Sequence, residues 1–312
     1  MSGQALGSRA IIGEYYKRLE QDPGVPWVND IANLFDSDQA SETYKWLGQV
    51  PTMRPWKGGR HAMGLRDNGF TIWNQEFEST LEFEVKHMRR DKTGQIMVRL
   101  SEHVQRAQTH WASLCSALVL NGASAVCYDG QYFFDTDHSE GDSGTQSNKI
   151  NVDISELPVT TRGTTTAPSP EEFNQAALKA ITQITSFLDD QGEPMNETAT
   201  EFLVMVPFSL LPVAESAFTL PRGTDAAEQK TSKSIRVVGN ARLSAWTDKF
   251  AVFRTDSAVK PLVRQEETDI KVGAKAEGSE FEFDNNSHQY GFSASRGASY
   301  GMWQGACLVT LT

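Results

Sequence analysis

The residues best suited to chemistry lie close together in residues 129–142, which read DGQYFFDTDHSEGD. Carboxylates and imidazoles bind metal ions and transfer protons. This segment has six such groups: Asp129, Asp135, Asp137, His138, Glu140 and Asp142. The segment predicts either a hydrogen-bonded acidic turn or the centre of a metal-dependent hydrolase that uses Asp135, Asp137 and His138.

The calcium-loop template provides a direct test of the metal interpretation. Asp135-Thr136-Asp137 resembles the opening of such a loop, which requires Gly at its sixth position and Glu at its twelfth. Those positions hold Glu140 and Gln146, so the match fails twice. An acidic turn is therefore the first interpretation, and the hydrolase is the alternative.

Other charged groups do not form a catalytic pattern. Four like charges along one face of a strand, Glu76, Glu78, Glu82 and Glu84, indicate a solvated face or a basic partner. Residues 57–60, Lys-Gly-Gly-Arg, lack the spacing and the strand–loop–helix context of a phosphate-binding loop. The sequence has no GxSxG or HExxH motif, and its six histidines are scattered. We predict no enzyme activity, catalytic residue, metal or cofactor.

Composition limits the class of protein. The chain has 312 residues, a net charge of −11 and a pI near 5.1, whereas general binders of nucleic acid or anionic membranes are usually basic. No apolar run is long enough for a signal peptide or a membrane span. Cys115, Cys127 and Cys307 lack metal-ligand spacing and are predicted to be buried in a reducing compartment. We expect a soluble protein made in the cytoplasm.

Residues 44–59, YKWLGQVPTMRPWKGG, have a composition unlike that of a helix or a strand. They include two Trp, two Pro and three Gly, which is typical of a loop that contacts a partner. Residues 44–68 contain five basic side chains and one acid, whereas residues 121–160 contain seven acids and one base. Complementary patches in one chain favour head-to-tail self-assembly.

The elements that must position these segments follow from hydrophobic periodicity. Period-two alternation over residues 77–85, after the β-rich residues 69–74, predicts a β-hairpin whose apolar face needs a cover. Apolar residues at 4-3-4-3-4 spacing predict one long helix over residues 94–120. A second helix begins at Ser169-Pro170, because Ser is a good N-cap and Pro suits the first turn.

The remaining segments complete an α+β chain. Residues 8–20 and 208–218 are predicted as short helices, and residues 222–234 as a polar loop. Apolar β-formers predict seven further strands, over residues 201–206, 235–238, 251–255, 270–272, 280–283, 289–295 and 306–311.

Three blocks of residues resemble a known family. The first is Tyr44-Lys45-Trp46-Leu47-Gly48 with Pro51, Arg54, Trp56 and Gly58; the second runs over residues 127–138; the third contains Tyr290-Gly291, Arg296, Tyr300-Gly301 and Trp303-Gln304. In this order and combination they resemble the Mu-like phage major head subunit (T-type). Residues 139–234 are only generically similar.

The resemblance implies the HK97-like capsid fold, with an N-terminal arm, an E-loop β-hairpin, a spine helix, and peripheral and axial domains. The arm would be residues 1–43, the E-loop 44–92, and the spine helix of the peripheral domain 93–122. The axial domain, with part of the peripheral domain, would span residues 123–257. Residues 258–312 would return to the peripheral domain and close on the axial domain.

The same resemblance implies a major capsid protein of a tailed bacteriophage, made in the host cytoplasm and located in the virion. It would assemble with itself into hexamers and pentamers of an icosahedral head around double-stranded DNA, held non-specifically. A separate scaffold, a portal, and decoration or minor capsid proteins are the other implied partners, and a different head component is a further alternative. The candidate inter-subunit contacts are Trp46, Arg54, Trp56, Lys57, Arg60 and Trp73.

Overall fold

The computed structural model describes residues 8–21, 24–44, 70–91, 93–219 and 233–312. The helices are α1 (Ser8–Gln21), α2 (Trp27–Ile31), α3 (Val85–Arg90), α4 (Gln95–Gln108), α5 (His110–Asn121), α6 (Pro170–Thr185), α7 (Leu211–Thr219) and α8 (Glu280–Asn285). The strands are β1 (Ala32–Asp36), β2 (Ser41–Tyr44), β3 (Phe70–Trp73), β4 (Gln75–Glu84), β5 (Lys149–Val152), β6 (Glu201–Val206), β7 (Ser234–Gly239), β8 (Lys249–Arg254), β9 (Leu262–Lys275), β10 (Ser287–Tyr300) and β11 (Ala306–Leu311). Most of the predicted polar loop at residues 222–234 lies outside the described residues.

The first sheet has the strand order β1-β9-β10-β4. Strand β1 is parallel to β9, and the other neighbours are antiparallel. Helices α1 and α4 cover its inner face with a cluster of apolar side chains that includes Tyr15, Leu100, Val104, Tyr290 and Phe292. Burial of this apolar surface is what holds the N-terminal helix against the rest of the chain.

The predicted hairpin of residues 69–74 with 77–85 is wrong, although both segments are strands. Strand β3 pairs with β2, and β4 pairs with β10 along its whole length. The apolar side of β4 lies over the helices, where Ser79 bonds to His103 and the ring of Phe77 lies 4.4 Å from that of His110. A lone hairpin is marginal in water, so long-range pairing that also covers the apolar face is preferred.

The second sheet has the order β5-β11-β8-β6-β7 and packs with α6 and α7 around the largest apolar core. Strand β6 is buried over Phe202–Val206, as its continuous apolar run predicts. The N-cap prediction for α6 is confirmed: the Ser169 hydroxyl accepts from Glu172 N at 3.2 Å, and the Glu172 carboxylate accepts from Ser169 N at 2.8 Å. This reciprocal capping box satisfies two donors at the start of the helix.

The predicted helix over residues 94–120 is present as two helices with a break at Thr109. Hydrogen bonding continues through the break, because Thr109 N donates to Gln105 O at 3.0 Å and Ser113 N donates to Thr109 O at 3.1 Å. The Thr109 hydroxyl also donates to Arg106 O at 3.2 Å. At Thr109 the backbone departs from helical geometry, with φ −79° and ψ 2°, and hydrophobic periodicity does not reveal this departure.

The predicted strand at residues 280–283 is wrong, since this segment forms helix α8 between β9 and β10. Ser279 caps the helix by accepting from Glu282 N at 3.2 Å, and Asn286 ends it in the left-handed region at φ 50°. The three cysteines are free and buried, as predicted. Within the described ranges, none of the helices combines the length and the apolarity needed to cross a bilayer.

A buried histidine of helix α4, which covers the first sheet, should make the stability of the fold sensitive to acid. His103 is 4% exposed, and burial, helped by the positive charge of Arg106, lowers its pKa although its bond to Ser79 opposes the shift. The unfolded chain takes up this proton near pH 6.5, above the folded pKa, so the free energy of unfolding should fall as pH drops below about 6.5. The loss from this site is at most about 1.4 kcal/mol per pH unit.

Urea unfolding at pH 7.5 and pH 5.5 measures this effect. His103→Gln should lose less stability between the two pH values than the unchanged chain. Part of the loss should remain, because burial also lowers the pKa of His110. His87→Gln, a change at a histidine with a 67% exposed side chain, is the control. Equal losses in the unchanged chain and in His103→Gln would show that His103 is not responsible.

Candidate functional site

The strands that flank residues 45–69, which include most of the aromatic and basic segment, pair in a short antiparallel ribbon. Strand β2 ends at Tyr44, and β3 begins at Phe70. The ribbon pairs Tyr44 directly with Phe70 and Ser41 with Trp73. The ribbon is therefore the base from which this segment leaves the described part of the subunit, and we call it the loop base (residues 41–44 and 70–73).

The loop base lies on the outer face of the first sheet, opposite the helices. A row of three residues crosses the sheet beneath it: Phe35 on β1, Gln265 on β9 and Gly297 on β10 are direct register partners. Directly paired residues of neighbouring strands point to the same face. One aromatic ring, one amide and one glycine thus form the platform for the ribbon.

Hydrogen bonds join the ribbon to the centre of this row. The Tyr44 hydroxyl donates to Gln265 Oε1 at 2.8 Å, and Gln265 Nε2 donates to Ile72 O at 3.4 Å. Tyr44 is 8% exposed and Gln265 is 0% exposed. Burial, with a smaller effect of Glu42, raises the pKa of Tyr44 to about 12, so the hydroxyl remains a donor at neutral pH.

Aromatic packing and a close backbone approach complete the contact. The Tyr44 ring stacks on Phe70 at 5.6 Å and lies 5.4 Å from Phe35. A Cβ atom on Gly297 would lie 2.7 Å from both the Ile72 side chain and the Trp73 carbonyl oxygen. Real Cβ atoms do not approach this closely, so a glycine is required where β3 crosses β10.

The other face of β9 is held by arginine and tryptophan. The guanidinium carbons of Arg264 and Arg296 lie 5.3 and 4.8 Å from the centre of the Trp111 ring. Arg296 forms a salt bridge with Glu266 at 2.8 Å, and Arg264 donates to Asn29 Oδ1 at 2.8 Å. Cation–π contacts and ion pairs thus fix β9 against α5 and α2. The loop base rests on a strand that is supported from both faces.

One of the six candidate contact residues belongs to the described loop base. Trp73, the last residue of β3, is 66% exposed. The other five candidates lie in residues 45–69, outside the described ranges: Trp46, Arg54, Trp56, Lys57 and Arg60. Sequence reasoning missed Gln265 and Gly297. A glycine in a β-rich segment signals close backbone approach, but a glutamine in a strand provides no comparable signal.

The acidic segment at residues 129–142 is a structural turn. His138 is fully buried, its Nδ1 lies 2.6 Å from Asp129 Oδ2, and its ring stacks on Trp303 at 4.0 Å. The Asp135 carboxylate accepts from the backbone nitrogens of Tyr132 and Thr136. Asp137 is exposed. Across the described residues, no group of three His, Cys, Asp or Glu side chains could hold a metal, so the hydrolase centre is not assembled there.

Two of the blocks that carried the family resemblance contact each other. The Tyr128 hydroxyl donates to Gln304 Oε1 at 3.2 Å, and the Cys127 thiol donates to Gly301 O at 3.5 Å. The Phe133 and Tyr300 rings stack at 4.7 Å. These residues join the turn after α5 to the connection between β10 and β11. The blocks at residues 127–138 and 300–304 therefore link the two sheets rather than form a reactive centre.

Comparison with known proteins identifies relatives of this chain. The chain is 35% identical over 124 residues to the Mu-like prophage FluMu major head subunit of Haemophilus influenzae, with 39% of this chain and 40% of that protein covered. It is 29% identical over 177 residues to the major capsid protein of Escherichia phage Mu, with 54% and 58% covered. The matches thus span about two fifths and somewhat over half of the lengths of these relatives.

Solved structures share the fold at lower sequence identity. The procapsid of bacteriophage JBD30 superposes with a TM-score of 0.56 at 21% identity, covering 97% of this chain and 74% of that one. The capsid of cyanophage P-SCSP1u gives a TM-score of 0.56 at 12% identity, covering 93% and 88%. The α+β chain therefore has the HK97-like capsid fold that the resemblance implied.

The family match extends over most of the chain. The family described as Mu-like prophage major head subunit gpT matches residues 10–158 and 222–311. The matched ranges include the loop base, the row of residues beneath it and the junction between the two sheets. The chain belongs to the Mu-like prophage major head subunit gpT family.

Proposed function

We propose that this chain is the major capsid protein of a tailed bacteriophage. It assembles with itself into hexamers and pentamers of an icosahedral head around double-stranded DNA, and it is a structural protein of the virion rather than an enzyme. It is made in the cytoplasm of the host bacterium. The observation that carries the proposal is the loop base, which ties both ends of a basic, aromatic segment to a sheet in a chain with a capsid fold.

The proposed domain organisation follows the two sheets. Residues 93–122 form the spine helix, and the first sheet with this helix forms the peripheral domain. The second sheet, with α6 and α7, forms the axial domain within residues 123–257. Residues 258–312 return through β9 and β10, and β11 closes on the axial domain, which its pairing with β5 and β8 supports.

Two of the proposed segments are shorter than the family pattern implies. Residues 1–43 are the proposed arm, but α2 buries Trp27, Val28 and Ile31 in the main core. Residues 44–92 are the proposed E-loop, but β4 pairs with β10 as part of the first sheet. We therefore assign the contact with a neighbouring subunit to residues 45–69 and the exposed end of the loop base.

We assign the contacts with neighbouring subunits to Trp46, Arg54, Trp56, Lys57, Arg60 and Trp73. Aromatic and arginine side chains dominate the binding energy of many protein interfaces, and Trp73 is exposed within the loop base. The exposed row of Glu76, Glu78, Glu82 and Glu84 on β4 provides opposite charge for a basic segment of another copy.

Other partners are proposed from the same family context. One solved relative of the fold is a bacteriophage JBD30 capsid decorated with minor capsid protein trimers. By analogy we propose decoration or minor capsid proteins, a separate scaffold and a portal as partners of this chain. The net charge of −11 favours loose, non-specific contact with the packaged DNA.

Electron microscopy of the purified chain, with copy counting in virions, tests the central proposal. A major capsid protein should form closed shells or capsomers and should be the most abundant head protein. A decoration protein or another minor head component would form no shell alone and would be present in fewer copies.

Replacing residues 46–68 with a short Gly/Ser linker should abolish shell formation while the subunit still folds. The ribbon, its platform and both sheets lie outside the replaced segment, so the melting temperature of the subunit should change little. Electron microscopy and sedimentation measure assembly, and circular dichroism measures folding. A scrambled segment of the same length and composition is the control for specific contacts. Shells of normal size and normal denaturant resistance in the linker variant would contradict the proposal.

Reversing one charge in the loop should slow assembly in a salt-dependent way. Arg54→Glu should reduce the assembly rate more than the neutral Arg54→Gln at low salt, because reversal adds repulsion to the loss of attraction. The difference should shrink at high salt, since the Debye length falls from about 10 Å at 0.1 M to about 3 Å at 1 M. Light scattering follows the reaction. Equal rates for the two variants at every salt concentration would argue against electrostatic steering.

A further inference from the structure

We propose that Gln265 is a positioning residue for assembly. Its amide holds both strands of the loop base on the sheet, and it thereby fixes the positions of Tyr44 and Phe70, between which residues 45–69 are connected. This inference rests on the proposed function, because these positions matter for assembly only if residues 45–69 contact a neighbouring subunit.

Both ends of the Gln265 amide are used, one for each strand. The carbonyl oxygen accepts from the Tyr44 hydroxyl at the end of β2, and the amide nitrogen donates to the Ile72 carbonyl in β3. Because an amide is both donor and acceptor, one side chain can hold two strands. A carboxylate, a lysine or an aliphatic side chain would release at least one of them.

The neighbours of Gln265 define where the ribbon lies. Phe35 contacts the Tyr44 ring on the β1 side, and Gly297 allows β3 to approach the backbone of β10. These two contacts are apolar or steric, so they tolerate small sliding motions. The two directional hydrogen bonds of Gln265 at the centre of the row do not tolerate such sliding. The amide therefore fixes the Tyr44 end of the ribbon on its platform, while the bonds from Asn74 Nδ2 to Ser37 Oγ and Gln39 O hold the Ser41–Trp73 end.

The ribbon depends on this docking because it cannot be stable alone. Two strands of four residues form the described part of the loop base, and an isolated two-stranded sheet is marginal in water. Tyr44 and Ile72 are both buried because they pack with Val263 of β9 on this face of the sheet. The conformation of both strands of the loop base thus depends on the contact with β9.

The main test is Gln265→Met, which keeps the length of the side chain and removes both hydrogen bonds. In unassembled subunits, trypsin cleavage at the basic residues of residues 45–69 should become about tenfold faster, since two buried polar partners lose their bonds. The yield of closed shells should fall by a similar factor. The melting temperature should change little, because the cores of both sheets are untouched.

Gln289→Met is the matched control. Gln289 lies on the same face of the same sheet and donates to Glu82 at 3.2 Å, away from the ribbon. This variant should leave loop cleavage and shell yield unchanged. If it speeds loop cleavage as much as Gln265→Met, loss of any glutamine from this face is sufficient and the inference is wrong.

If Gln265→Met fails to fold, Tyr44→Phe is a second variant that tests the same inference. It removes only the hydroxyl and keeps the aromatic stack, so loop cleavage should rise and shell yield should fall, less than in Gln265→Met. The double variant Tyr44→Phe/Gln265→Met should show the same loop cleavage and shell yield as Gln265→Met alone. The Tyr44 hydroxyl acts through its bond to Gln265, and Gln265→Met has already removed that bond. Fully additive losses would contradict that coupling.

Two results for Gln265→Met would overturn the inference. A third result, for the unchanged chain, would contradict only the proposed function. Unchanged loop cleavage and shell yield in Gln265→Met would show that the amide does not position the segment. A fall in melting temperature that accounts for the faster cleavage would show a general structural role instead. If the unchanged chain forms no shells but Gln265→Met still loosens the loop selectively, the positioning role holds and the capsid proposal fails.

Discussion

The rest of this structure depends on strand β9 being held from both faces. On one face, Arg264 and its neighbour Arg296 on β10 flank the Trp111 ring of α5. On the other face, Gln265 carries the two strands of the loop base. Side chains alternate along a strand, so adjacent residues 264 and 265 necessarily serve opposite faces. Helix, sheet and ribbon are thereby coupled through one stretch of backbone.

The acidic turn shows how residues suited to chemistry can serve packing. Asp129 and His138 are paired and buried, and the imidazole lies flat on Trp303. The imidazole Nδ1 is hydrogen-bonded to the Asp129 carboxylate, whereas Nε2 is buried without a hydrogen-bond partner among the described residues. The same turn connects to Gln304 through Tyr128. The family blocks that contain these residues join the two sheets, so their residue types reflect the architecture of the subunit.

Elements with local signals could be predicted from sequence. Helix α6 has its cap in Ser169-Pro170, and β6 and β11 are short apolar runs that the structure places as predicted. Composition pointed to a contact loop at residues 44–59 and the family resemblance to an E-loop at residues 44–92, and residues 45–69 lie outside the described ranges. The failures have different causes. The wrong strand at residues 280–283 overlooked the local cap at Ser279. The pairing of β3 and β4 and the platform residue Gln265 depend on groups far away in sequence, and the break at Thr109 depends on the backbone geometry of one residue. Hydrophobic periodicity contains no information about either.

Sequence alone therefore determined the α+β class, the segments with strong periodicity or caps, and the family, because these depend on local order and on residue blocks. Tertiary structure alone decided which strands pair, which face of β4 is covered, and how the ends of residues 45–69 are held. The physical reason is that two-stranded ribbons and edge strands gain their stability from the surfaces that they dock on. Gly297 and Gln265 acquire their roles only when β10 and β9 bring them beneath the ribbon.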